Sequence, residues 1–141
     1  MNEVMFSFSE TEKQIFRKLS VGALILFGSH AQGRAGTLSD YDIGVIVEDK
    51  SILRSPERRK EIYDALYDIL SAHINQLVDI DIVFLEDAPY ELRAHVMKYG
   101  KVLFESRPGV FADFKESTMI HYADFAPLRK LFQEGVLSRI K

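Results

Sequence analysis

Four short stretches of the chain carry the hydrophobic pattern of β-strands. Residues 23–27 are wholly apolar and Tyr41–Val47 is largely so, which predicts two buried strands. Residues 78–85 alternate acidic and apolar side chains in their first half, a pattern typical of a strand with one solvent-facing side. Lys101–Glu105 is expected to form a short further strand.

Helix-start signals lie between these stretches. Ser9 and Glu12 have the spacing of a capping box, and Ser55 precedes a proline that fits the first helical position. We expect the helix after Ser55 to reach about Gln76. A third helix is predicted to open at 87–89 and to end at Gly100, where a glycine cap belongs.

A break at 107–109 divides the chain into two predicted parts. We expect a domain over residues 1–106 and a helical tail over 107–141, which either docks on a partner or packs back on its own domain. The apolar positions of the tail are Phe111, Phe114, Ile120, Phe125, Leu128, Phe132 and Val136. Because strands and helices alternate, the predicted fold class is α/β or α+β, with a small mixed sheet.

Size and composition narrow the class of protein. A chain of 141 residues suits one domain with at most a tail, and a net charge of −3 does not favour general binding to nucleic acid. The absence of cysteine excludes disulfides and thiolate zinc sites. The first ten residues lack a signal-peptide pattern and no apolar stretch approaches the ~20 residues of a membrane span, so we expect a cytoplasmic protein.

The segment between the first two predicted strands carries the candidate chemistry. The run 23–27 stops at Gly28 and Ser29, and after ten intervening residues Asp40 and Asp42 open the next strand. Residues two apart on a strand point to the same side, so both carboxylates can face one point. Glycine lets phosphate approach the backbone, and Ser29 offers donors at a short helix expected over 30–33. Mg²⁺ binds oxygen ligands and shares them with phosphates, so the segment predicts a magnesium–nucleotide site.

The third strand offers a further carboxylate. Asp79 and Asp81 lie on one predicted face, and either can complete a two-metal site for in-line displacement at a phosphorus atom. Each Asp-x-Asp pair alone is common as a turn, a cap or a solvated edge. The combination of both pairs with a Gly-Ser turn at a strand end favours catalysis.

The sequence resembles a known family at these residues. Gly28-Ser29, ten intervening residues and Asp40-x-Asp42 match the signature of the DNA polymerase β-like nucleotidyltransferases, and the loop 28–33 resembles their minimal branch. The resemblance covers roughly residues 10–106. It implies a nucleotidyltransferase fold in which Gly28 and Ser29 bind triphosphate.

The resemblance also implies roles for the acidic residues. Asp40, Asp42 and Asp81 would hold Mg²⁺, and Asp81 is preferred to Asp79 because it lies deeper in its strand. Two loop positions depart from the family, since His30 and Gln32 stand where arginine is frequent. Arg34 and Arg93 are hypotheses for further triphosphate contacts, because a guanidinium grips phosphate through two hydrogen bonds.

The substrate class follows from the resemblance rather than from spacing. Stand-alone minimal members resemble the antitoxins of HEPN/MNT toxin–antitoxin pairs. The implied reaction there is transfer of AMP from ATP to a tyrosine of a HEPN ribonuclease toxin, in a hetero-oligomer. Two alternatives remain open: transfer of a nucleotide to a small molecule or an RNA end, and a non-catalytic antitoxin that acts by binding.

Overall fold

A computed structural model describes residues 6–36, 39–74 and 78–122 of the chain. Its strands are β1 (Val21–Phe27), β2 (Tyr41–Val47), β3 (Ile80–Phe84) and β4 (Lys101–Glu105). Its α-helices are α1 (Glu10–Lys18), α2 (Pro56–Ala72), α3 (Tyr90–Tyr99) and α4 (Val110–Tyr122), with short 3₁₀ turns at Lys50–Arg54 and Leu85–Asp87. No helix among the described residues is long and apolar enough to cross a membrane.

The strands form one mixed sheet in the order β3-β2-β1-β4. Strand β1 runs antiparallel to both β2 and β4, whereas β2 and β3 are parallel. The predicted fold class, α/β or α+β with a small mixed sheet, is therefore confirmed. β2 and β4 have the predicted bounds, whereas β1 starts two residues earlier and β3 is shorter at both ends.

Local side-chain chemistry explains where the helices begin and end. The capping box of α1 is present, since the Ser9 hydroxyl accepts the Glu12 N–H and the Glu12 carboxylate accepts the Ser9 N–H. Ser55 caps α2 through the Arg58 N–H, with proline at the first position. The predicted end of α2 near Gln76 is wrong, because the helix ends at Ala72.

A tertiary contact accounts for the earlier end of α2. The His73 ring packs 5.1 Å from the Phe8 ring, and its Nε2 lies 3.2 Å from the Glu12 carboxylate. These contacts hold the residue after the helix against α1. Gln76 itself lies outside the described residues.

Each face of the sheet is covered by a helix pair. Helices α1 and α2 bury one face around Phe16, Leu24 and Leu66, whereas α3 and α4 bury the other around Ile25, Val96 and Phe114. The described part of the predicted tail therefore packs on its own sheet. The tail positions that lie outside the described residues are Phe125, Leu128, Phe132 and Val136, and the division at residue 106 stays a prediction.

Candidate active site

The sheet topology brings the Gly-Ser turn and the acidic residues to one edge. β1 ends where its antiparallel neighbour β2 begins, and the parallel strand β3 begins at the same edge. Phe27 lies opposite Asp42, and Asp42 lies opposite Asp81. The strand pairing thus places the end of β1 and two carboxylates side by side.

Gly28 is required by its close contact with Asp42. Its φ of +78° is one that residues with a Cβ rarely adopt. A Cβ added there would overlap Oδ2 of Asp42 and would lie 3.1 Å from its Cγ. The Asp42 carboxylate therefore rests directly on the Gly28 backbone, in space that any side chain would fill.

Asp42 lies in an electrostatic environment that opposes its negative charge. Burial raises the pKa of its carboxyl, and the charges of Asp81 and Asp40 raise it further, against a smaller lowering by His30. Mutual repulsion among carboxylates is relieved by a cation, and their oxygens suit a hard divalent ion such as Mg²⁺. Within the described ranges, no three His, Asp or Glu side chains already form a metal cluster.

The two candidates for the third carboxylate have different surroundings. Asp81 is the partner of Asp42 in the strand register, and its charge acts on Asp42. Asp79 instead acts on Tyr67: after the larger effect of burial, the Asp79 carboxylate raises the pKa of the Tyr67 hydroxyl. The backbone N–H of Asp79 also donates to Oδ1 of Asp40 at 3.3 Å. Of the two, Asp81 is the one that acts on Asp42.

The loop that follows β1 forms a turn rather than the predicted short helix over 30–33. The Gln32 N–H donates to the Gly28 carbonyl at 3.2 Å, and the Arg34 N–H donates to the Ser29 carbonyl at 2.9 Å. These two bonds close the turn without starting a helix, and glycine at position 33 adopts a φ of +71°. Ser29 is half-buried in this turn, next to Gly28.

His30 has a role that the sequence did not reveal. Its ring stacks on the buried Tyr41 ring, with centroids 3.6 Å apart and an angle of 11° between the planes. Its Nε2 donates to the Ser39 carbonyl at 2.9 Å. His30 therefore connects the start of the loop to the residues just before and at the start of β2.

Arg34 and Arg93 lie in different surroundings. Arg34 is exposed, donates to the Gln32 side chain at 2.6 Å, and lowers the pKa of buried His95 on α3, after the larger effect of burial. Arg93 donates to the backbone carbonyls of Glu86 and Ala88 and lies over the Phe114 ring. Arg93 thus connects the turn after β3 to α4.

The chain matches one known protein family over most of its length. The model of the family described as polymerase beta, nucleotidyltransferase matches residues 10–108. No curated protein matches the chain significantly.

Solved structures resemble the chain over most of its length. A chain of a toxin–antitoxin crystal structure with AMP-PNP is 26% identical, with a TM-score of 0.60, and the match covers 92% of this chain and 99% of that one. A chain from the complex of tri-AMPylated Shewanella oneidensis HEPN toxin with MNT antitoxin is 22% identical, with a TM-score of 0.52 and coverages of 91% and 98%. A chain of an MntA–HepT toxin–antitoxin structure is also 22% identical, with a TM-score of 0.50 and coverages of 92% and 99%.

Proposed function

Because the chain belongs to the polymerase beta nucleotidyltransferase family, we propose that it transfers AMP from ATP to a tyrosine hydroxyl of a HEPN ribonuclease toxin and so acts as an antitoxin. The 26% identical chain, from a structure containing AMP-PNP, supports an adenine nucleotide as the donor. The tri-AMPylated HEPN toxin of the Shewanella complex supplies the hypothesis for the acceptor. The partner is accordingly proposed to be a HEPN-type toxin in a hetero-oligomer, and the reaction is assigned to the cytoplasm.

One observation carries the catalytic part of the proposal. Asp42 lies in register with Asp81, rests on the Gly28 backbone, and has a pKa raised by burial and by two neighbouring carboxylates. A protein gains nothing in stability from such a charge cluster, whereas a metal-dependent transferase needs one. The raised pKa therefore favours a functional site over a turn or a solvated edge.

The proposed magnesium ion would be held by Asp40, Asp42 and Asp81. When bound, Mg²⁺ supplies positive charge that offsets the carboxylates and stabilises the triphosphate and the leaving pyrophosphate. The oxygen-only donor set at this edge of the sheet fits such an ion.

The remaining side chains have positioning roles in the proposal. Gly28 and Ser29 present the backbone of the turn to the triphosphate, and Arg34 adds a positive charge on the same loop. The tyrosine oxygen forms a bond to the α-phosphorus as the bond to pyrophosphate breaks, and the hydroxyl proton passes to a carboxylate of the cluster. His30 holds the loop against β2, so that the turn and the carboxylates keep their relative positions.

The test is an intact-mass measurement on both proteins. The purified chain is incubated with ATP, Mg²⁺ and the HEPN-type protein encoded beside it, and we expect an AMP-sized increment on the partner. Asp81→Asn should abolish the increment, whereas the matched variant Asp79→Asn should retain most of it, because of these two residues Asp81 is the one whose charge acts on Asp42. A stable complex that never gains an increment would replace the proposal with an antitoxin that acts by binding.

A further inference from the structure

A groove with an aromatic wall lies beside the proposed catalytic edge. It has a volume of about 680 Å³ and runs between α2 and the start of β3. Tyr63 and Tyr67 line it from the helix, and Asp81 of β3 and the preceding Asp79 line the other side. The groove therefore opens onto the end of the sheet that carries the proposed metal ligands, beside the outermost strand β3.

The two tyrosines form a stacked pair at this wall. They are four residues apart on α2, their ring centroids are 6.1 Å apart, and the angle between their planes is 22°. Tyr63 is 38% exposed, so part of its ring faces solvent although it stacks on Tyr67. Exposed aromatic faces attract cations and other rings, so this pair offers a binding surface rather than a core contact.

The charge of the groove selects which substrate it can receive. Asp64 and Asp68 join Asp79 and Asp81 in its lining, and no lysine or arginine among the described residues lines it. Lys60 lies 2.6 Å from Asp64 and offsets one of these four charges. Away from the proposed metal ligand Asp81, the carboxylates of Asp64 and Asp68 would repel a polyanion such as a nucleoside triphosphate or an RNA end. A groove of this charge next to a transferase site is therefore suited to bind an acceptor that carries positive charge.

We propose that this groove is the acceptor subsite and that it receives an arginine- or lysine-bearing segment of the partner protein. The stacked face of Tyr63 and Tyr67 and the carboxylates of Asp64 and Asp68 hold the segment, and its tyrosine hydroxyl reaches the edge at Asp81. This inference rests on the proposed transfer of AMP to a protein, and it adds where that protein docks and what chemistry it presents.

The experiment measures initial rates of AMP transfer while the partner and ATP are varied separately. In the double variant Asp64→Asn, Asp68→Asn, we expect the KM for the partner to rise by roughly fivefold to tenfold, as for two exposed charge contacts. The KM for ATP should not change, because the groove does not hold the triphosphate. The control is the double variant Glu10→Gln, Glu116→Gln, which removes the same charge from exposed positions on α1 and α4.

Two further measurements do not depend on the stability of the double variant. Raising the salt concentration should raise the KM of the wild-type protein for the partner, because exposed charge contacts are screened. Tyr63→Ala should raise the same KM, whereas Tyr63→Phe, which keeps the aromatic face, should not.

The outcomes distinguish this inference from the proposed function. If the wild-type protein transfers nothing to the partner, the proposed function fails. If it transfers AMP and the partner KM is equal in the groove variants and the control, the inference is overturned while the proposed function stands. A change in the KM for ATP instead would assign the groove to the nucleotide, and would also overturn the inference.

Discussion

Gly28→Ala is the substitution that tests most directly whether the Asp42 carboxylate must rest on the backbone. The change has two separate effects. An alanine at a φ of +78° costs about 1 kcal/mol in backbone strain. In addition, its Cβ overlaps Oδ2 of Asp42, so the carboxylate has to move away from the turn.

Gly33→Ala is the matched control, because it carries the first effect without the second. Gly33 has a φ of +71°, close to that of Gly28, and a Cβ added there meets no described atom within 4 Å. We therefore expect both variants to lose about 1 kcal/mol of stability, which lowers Tm by roughly 3 °C in a domain of this size. Gly28→Ala should lose somewhat more, from the displaced carboxylate.

The difference between the two variants should appear in the transfer rate. A displacement of about 1 Å at a catalytic group costs on the order of 100-fold in rate. We expect Gly28→Ala to lose about that much in kcat for AMP transfer to the partner, measured by intact-mass time courses, and Gly33→Ala to stay within a few-fold of the wild type. Equal rates for the two variants, at equal Tm, would refute the argument that the contact between Gly28 and Asp42 positions the carboxylate.

Three further predictions concern the same edge and its support. Asp42→Asn should abolish transfer and yet raise the Tm of the metal-free protein at pH 7, because the raised pKa means that the half-buried charge opposes folding above the ordinary value of 3.8. Thermal scans should show this gain in Tm shrinking as the pH falls, and no gain at pH 7 would contradict the prediction. His30→Ala should lower kcat about tenfold, since the loop loses its stack on Tyr41 and its bond to the Ser39 carbonyl, and steady-state rates should show less effect on the KM for ATP. Ser9→Ala should cost about 1 kcal/mol in chemical denaturation by removing the N-cap of α1, with transfer rates unchanged.

The parts of the fold that were predictable from the sequence depend on local chemistry. The start of α1 follows from the capping pattern of Ser9 and Glu12, and the bounds of β2 and β4 follow from short runs of apolar residues. The end of α2 was not predictable, because it depends on contacts between His73 and residues of the α1 region that are distant in the sequence.

The same distinction applies to the candidate site. The spacing of Gly28, Asp40 and Asp42 is a local signal, and it predicts a site where one strand ends and the next begins. The preference for Asp81 over Asp79 had no decisive local signal, since alternate residues of a strand share a face. The pairing of β3 with β2, which sets Asp81 opposite Asp42, is a long-range contact that supports the proposal for Asp81. The stack of His30 on Tyr41 joins the two ends of a loop, which periodicity does not reveal.

Strand β3 is the outermost strand on one side of the sheet, and this position gives its acidic residues a second consequence. An edge strand offers unpaired backbone groups to any other extended chain, and charged side chains along it are a common defence against such pairing. Asp81 in β3 and Asp79 just before it are both exposed. Their charges discourage two copies of the sheet from joining through β3 into a continuous, aggregating ladder. Substitutions that neutralise both positions would therefore expose the protein to self-association as well as to loss of activity, and the carboxylates of the site also serve the solubility of the fold.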